Sequence, residues 1–131
     1  FNGRFLDAMV NRDLPIEILW DGQVQEHEVW AIPRGARESE QARQFIGFAT
    51  STERQTALAE LIPYGPSRRS ATIQVANHPD HGVDMRLHIP THPLNAEHAL
   101  TKDDEWYANS HERIDEYFRQ ALMTEGTSEL P

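Results

Sequence analysis

Two carboxylates, Glu26 and Glu28, stand just before the apolar run Val29-Trp30-Ala31-Ile32. Residues two apart on an extended chain project to the same face of a sheet. This spacing therefore sets both acids side by side at a strand end, where they suit a cationic group. The other concentration of reactive side chains is a histidine-rich tract holding His78, Asp80, His81, His88, His92 and His98. His78-x-x-His81 with Asp80, or His88-x-x-x-His92, offers ligand types suited to zinc or another borderline metal. Pro90 lies between His88 and His92, and Pro93 follows; these prolines oppose the helix that would bring an i, i+4 pair onto one ion. The tract reads as a polar surface loop, with no metal and no cofactor expected. Gly-rich phosphate loop, G-x-S-x-G, H-E-x-x-H and cysteine nucleophile are all missing from the sequence. No spacing of Ser, His and acid singles out a triad, so the expectation is a protein that is not an enzyme.

The elements that must position these groups follow from periodicity. Phe5, Leu6, Met9 and Val10 share a helical face that Pro15 closes, and Ile16 to Trp20 predicts a strand ended by an Asp21-Gly22 turn. Val29 to Ile32 predicts a second strand, stopped by Pro33-Arg34-Gly35. Beyond it Ala42, Phe45, Ile46 and Ala49 mark an amphipathic helix over 38–50. Thr52 with Gln55 has the form of a capping box, so another helix starts there; Leu58, Leu61 and Ile62 form its expected buried face, and Pro63 ends it. Tyr64-Gly65-Pro66 is a rigid turn, and Thr72 to Ala76 a short expected strand. A long helix begins at Asp103 or Asp104, carries Tyr107, Ile114, Tyr117, Phe118, Ala121 and Leu122 on one face, and stops at Gly126.

A formal net charge of −9 with no basic stripe disfavours nucleic acid, because phosphate neutralisation needs clustered Lys and Arg. The same charge steers a cationic ligand favourably. Absence of cysteine excludes disulfides and thiolate chemistry. No apolar run approaches the ~20 residues that span a bilayer, and none resembles a signal-peptide core.

The ordered succession of "ILW", a short polar hairpin, "VWAIPRGA", "SEQARQFIGFATSTERQTALAELIPYGP" and "IPTHPLNAEHALTKDDEWYANSHERIDEYFRQAL" resembles the C-terminal part of bacterial extracellular solute-binding proteins of ABC transporters. Within them it looks most like the spermidine/putrescine-binding type. The resemblance runs from about Gly3 to Leu122, is strongest at 28–66 and 100–122, and breaks at 72–88. It implies an α/β protein with the periplasmic-binding-protein-like (type II) two-lobed fold. It assigns 1–27 to the second lobe, ending at a hinge, 28–70 to the first lobe and 71–131 to the second. The chain, starting at Phe1, would be a C-terminal fragment whose partner is the missing N-terminal part of the same protein. The implied function is periplasmic binding of a small amine-bearing solute, a polyamine or similar, for delivery to a membrane permease.

Site residues follow from the same resemblance. Trp20 matches a tryptophan near the ligand cleft, Tyr64 a tyrosine that reaches the ligand, and Tyr107 a position at the start of the last helix that contributes to the site. The position matching Glu28 is acidic in the polyamine-binding look-alikes, whereas that matching Glu26 is often aromatic there. Carboxylates beside aromatic faces suit an organic ammonium through charge-assisted hydrogen bonds and cation–π contact. Two other readings stand beside this one: a metal-dependent enzyme using the histidines, and a noncatalytic interaction fragment.

Overall fold

Leu6, Ala59, Val75, Met85 and Ile89 exclude water from one another and form an apolar centre, with Met9, Val10 and Val83 packed against them. The computed structural model describes residues 2–125. In chain order these form α1 (Asn2–Arg12), β1 (Val24–Gln25), α2 (Ser39–Ala49), α3 (Thr52–Leu61), α4 (Arg69–Thr72), a 3-10 turn (Met85–Leu87), α5 (Pro93–Ala96), β2 (Leu100–Thr101) and α6 (Asp104–Glu125). The chain divides into two compact units, Phe1–Leu100 and Thr101–Pro131. No helix among the described residues is long and apolar enough to cross a membrane.

Periodicity locates the helices well. In α1, Leu6 is buried and Met9 and Val10 line the same face, while Phe5 stays half exposed. The chain leaves α1 through Asp13 at φ 50, in the left-handed region that turns a backbone out of a helix, and the Leu14 amide returns to the Ala8 carbonyl at 3.1 Å. Helices α2 and α3 meet at Thr50-Ser51, where Thr50 Oγ1 donates back to the Ile46 carbonyl at 2.7 Å. The cap of α3 is Ser51, one residue before the predicted Thr52, and its hydroxyl accepts from the Arg54 amide. Gln55 does not complete a capping box. Its side chain reaches forward, accepting from the Arg68 amide at 3.0 Å and donating to Ser67 Oγ at 2.7 Å. The predicted buried face of α3 is likewise corrected: Leu58, Leu61 and Ile62 are exposed, and Ala59 is the residue that enters the core. A methyl side chain there permits close approach to α4, whose Ala71 and Thr72 are also buried. The end of α6 predicted at Gly126 lies outside the described residues.

The predicted strands do not form. Residues 16–20 and 29–32 have no regular structure, and Thr72 closes a helical turn instead of opening a strand. A strand is stable only when a neighbour accepts its ladder. Among the described residues the only sheet is β1 paired with β2. The Asp21-Gly22 turn does form, with the Gln23 amide bonded to the Trp20 carbonyl at 3.1 Å. It does not close a hairpin, because the Leu100 amide pairs with the Gln23 carbonyl at 2.8 Å. Around 76–85 a single antiparallel bridge joins Asn77 and Asp84.

A Cβ built on Gly65 would lie 2.7 Å from Thr91 Oγ1, and that hydroxyl is buried without a hydrogen-bond partner among the described residues. Gly65→Ala is expected to lower stability by about 1–3 kcal/mol through overpacking, with Thr91→Ala in the same chain recovering part of the loss. Thr91→Val, which removes an unpartnered hydroxyl at nearly constant shape, is expected to be neutral or stabilising. Urea titration of the three variants measures both effects.

Burial depresses the His88 imidazole pKa, partly opposed by the Asp84 carboxylate. Arg86 hydrogen bonds hold Asp84 below the usual carboxylate range. Both groups bind protons more readily in the unfolded chain, so both make stability fall with acid. The His88 contribution is complete above about pH 6.5 and is lost as pH falls through its lower folded value; that of Asp84 is lost in more acid solution. Urea midpoints should fall between pH 7.5 and pH 5.5, and less so in His88→Gln.

Candidate functional site

The segment carrying Trp20, Glu26 and Glu28 is secured on one side and open on the other. Trp20 is half-buried, and its indole Nε1 donates to the Leu87 carbonyl at 3.0 Å. Asp21 Oδ1 pairs with His98 Nδ1 at 2.9 Å. Gln23 Nε2 donates to the carbonyls of Pro90 (3.1 Å) and Asn95 (2.6 Å), and Gln25 Nε2 to that of Pro90 (2.8 Å). From Glu26 to Pro33 the chain has no regular structure, and both carboxylates are solvent-exposed. The strand that would hold Glu26 and Glu28 on one face is therefore missing. Val29 is 83% and Trp30 62% exposed, although the Trp30 ring meets Phe45 of α2 edge-on at 5.5 Å. The predicted turn after the run is present: the Ala36 amide bonds to the Pro33 carbonyl at 3.2 Å, with Gly35 at the positive φ of 82° that this turn requires.

Tyr64 lies elsewhere in the first unit, 47% exposed, its ring 3.5 to 3.6 Å from where a Cβ on Gly3 of α1 would stand. Next to it Asn2 Nδ2 bonds to the carbonyls of Pro63 and His88, fastening the start of α1 to both loops. A cavity of about 160 Å³ opens beside this junction, lined by Leu6, Asp7 and Val10 of α1, the end of α3 and the 78–83 turn. None of the predicted site residues lines it. Among the described residues Trp20 and Tyr64 share no ring contact.

Tyr107 belongs to the second unit, in the first turn of α6. Asp103 caps that helix, its Oδ1 accepting from the Trp106 amide at 2.9 Å and its carbonyl from the Tyr107 amide. A cation already covers the Tyr107 ring, with Lys102 Nζ 4.3 Å from its centroid. At this distance the Lys102 ammonium and the Tyr107 ring have cation–π geometry.

Gln23, Gln25 and Asn95 carry the geometry of the first unit's open segment, and sequence reading missed them. The one available signal was the i, i+2 spacing of two amides on the residues leading into the acids. Uncharged amides whose partners are main-chain carbonyls leave no motif.

Within the histidine tract, the His78 and His81 rings lie 4.6 Å apart, and His78 Nδ1 accepts from the Asp80 amide at 3.1 Å. His92 caps α5 and His98 pairs with Asp21. Among the described residues no group of three or more His, Cys, Asp or Glu stands in an arrangement that could hold a metal ion.

Comparison with known proteins places these residues in context. Residues 1–82 match the family described as bacterial extracellular solute-binding protein. The chain is also 28% identical over 118 residues to a gamma-aminobutyric acid-binding protein of Pseudomonas aeruginosa, an alignment covering 90% of this chain and 32% of that protein. The chain thus spans about a third of the length of this curated relative. No solved structure matches.

Zinc titrated into the protein is expected to bind no better than to scattered surface histidines. Stoichiometric binding at submicromolar concentration, abolished by His78→Ala or His81→Ala, would contradict this and restore a metal-dependent reading.

Proposed function

The chain belongs to the bacterial extracellular solute-binding proteins, a family of binding proteins and not of enzymes, and on that premise we propose that it is part of a receptor for a small amine-bearing solute serving an ABC transporter. The match over residues 1–82 carries this reading, because Trp20, Glu26, Glu28 and Tyr64 all fall within it. The amine preference is supported by the two exposed carboxylates, by the aromatic residues and by the net charge of −9. It agrees with the name of the Pseudomonas aeruginosa relative, since gamma-aminobutyric acid carries an ammonium group. A polyamine and an ω-amino acid share that group and differ at the other end, where a second ammonium or a carboxylate must be met.

In this proposal the protein is periplasmic and two-lobed, with 1–27 and 71–131 in the second lobe and 28–70 in the first. The solute lies between the lobes, approached by Trp20, Glu26, Glu28, Tyr64 and Tyr107, and is handed to a membrane permease. The exposed apolar side chains of 28–70, Val29, Trp30, Phe45 and Phe48, are then surfaces that the remainder of the first lobe covers.

Calorimetry on the whole protein with γ-aminobutyrate, putrescine and a neutral sugar tests the reading. Amine binding without sugar binding is expected. A carboxylate–ammonium contact that the solute covers loses roughly a hundredfold or more in affinity when one partner is neutralised. Glu28→Gln should cause a loss of that order and Glu26→Gln a smaller one. Unchanged affinity in Glu28→Gln removes this residue from the site, and a neutral sugar as the solute removes the amine assignment.

A further inference from the structure

Asn95 is nine-tenths buried although it is polar, and both hydrogen bonds that its side-chain amide donates go to main chain. Its Nδ2 donates to the carbonyls of Arg86 at 3.0 Å and Ile89 at 2.8 Å, drawing the 3-10 turn and the residues after it into one compact loop. Met85, which opens that turn, and Ile89, which follows it, are fully buried. The loop is therefore fixed to the apolar centre. Gln23 and Gln25 reach this same loop, converging on the Pro90 carbonyl, and Gln23 also on that of Asn95.

The two glutamines sit on one side of β1. Both are half-buried, whereas Val24 and Glu26, which alternate with them, are exposed. Alternation along an extended chain means that fastening Gln23 and Gln25 to the loop turns the following acid away from it. A slip of one residue would exchange the two sides. Neither glutamine belongs to the apolar cluster, so the fastening is separable from the core.

We infer that Gln23, Gln25 and Asn95 form a positioning clamp that ties the Trp20–Gln25 segment to the 85–96 loop and sets the side on which the chain leaves it at Glu26 to meet the solute. Trp20 is held to the same loop through Leu87, so an aromatic face and the acids are referred to one fixed point. This rests on the proposal that Trp20, Glu26 and Glu28 approach the solute. The clamp residues are positioning residues and need not touch it.

The test uses the whole protein with Gln25→Met, Gln23→Met and Gln23→Met/Gln25→Met, which keep side-chain length and remove the amide donors. The same two amines serve as calorimetric probes, with hydrogen exchange of amides 24–28 followed in parallel. The double variant is expected to weaken amine binding by about tenfold and to raise exchange at 24–28, while its urea midpoint moves little. Gln25→Met should give a smaller change of the same kind. Asn95→Ala adds a buried cavity, so the clamp is judged on the glutamine variants should that chain fail to fold. Faster exchange or a lower urea midpoint with unchanged amine affinity overturns the clamp as a determinant of binding. If Glu28→Gln weakens binding and the glutamine variants do not, the clamp alone fails. If none of them alters affinity, the assignment of the site fails with it.

Discussion

Main-chain polar groups must find partners when they leave water, and the described residues, whose two strands are each two residues long, cannot satisfy them with sheet ladders. Here side-chain amides do much of that work. Asn2 bridges two carbonyls, Asn95 two more, and Gln23 and Gln25 converge on Pro90. Gln55 receives the Arg68 amide, Glu60 that of Ala76, and the Trp20 indole donates to Leu87. Apart from those of Asn95, each contact joins segments distant in sequence.

This explains which parts of the fold were legible. Helices satisfy their own backbone, so a periodic apolar face is enough to find them, and α2, α3 and α6 lie where the spacing of residues such as Phe45, Ile46 and Ile114 puts them. A strand is a statement about a neighbour. Ile16 to Trp20, Val29 to Ile32 and Thr72 to Ala76 have strand composition, but the described residues supply them with no partner. The error at the start of α3 is of another kind. Thr52 and Gln55 have the types of a capping box, yet Ser51 one residue earlier has the extended backbone a cap requires, and Gln55 is claimed by a tertiary contact.

The candidate site was legible to a similar degree. Glu26 and Glu28 stand out because paired acids before an apolar run are chemically conspicuous, and aromatic residues such as Trp20 and Tyr107 accompany them. Their joint placement was not readable, because the expected strand at 29–32 was the premise for it. What orders the segment is two glutamines just before the acids and a buried asparagine, Asn95, far along the chain. The histidine tract shows the opposite lesson. Its residue types are conspicuous, but His78, His92 and His98 are occupied with turns, a helix cap and an acid partner.

The account depends on one segment, Trp20 to Glu28, being held by the 85–96 loop and open to solute. Hydrogen–deuterium exchange of the whole protein, with and without a bound amine, examines that segment directly. The account predicts that binding slows exchange of amides at 26–30, while those at 23–25 are already slow in the free protein. Equal exchange at 26–30 in the two states, with binding verified independently, would contradict it.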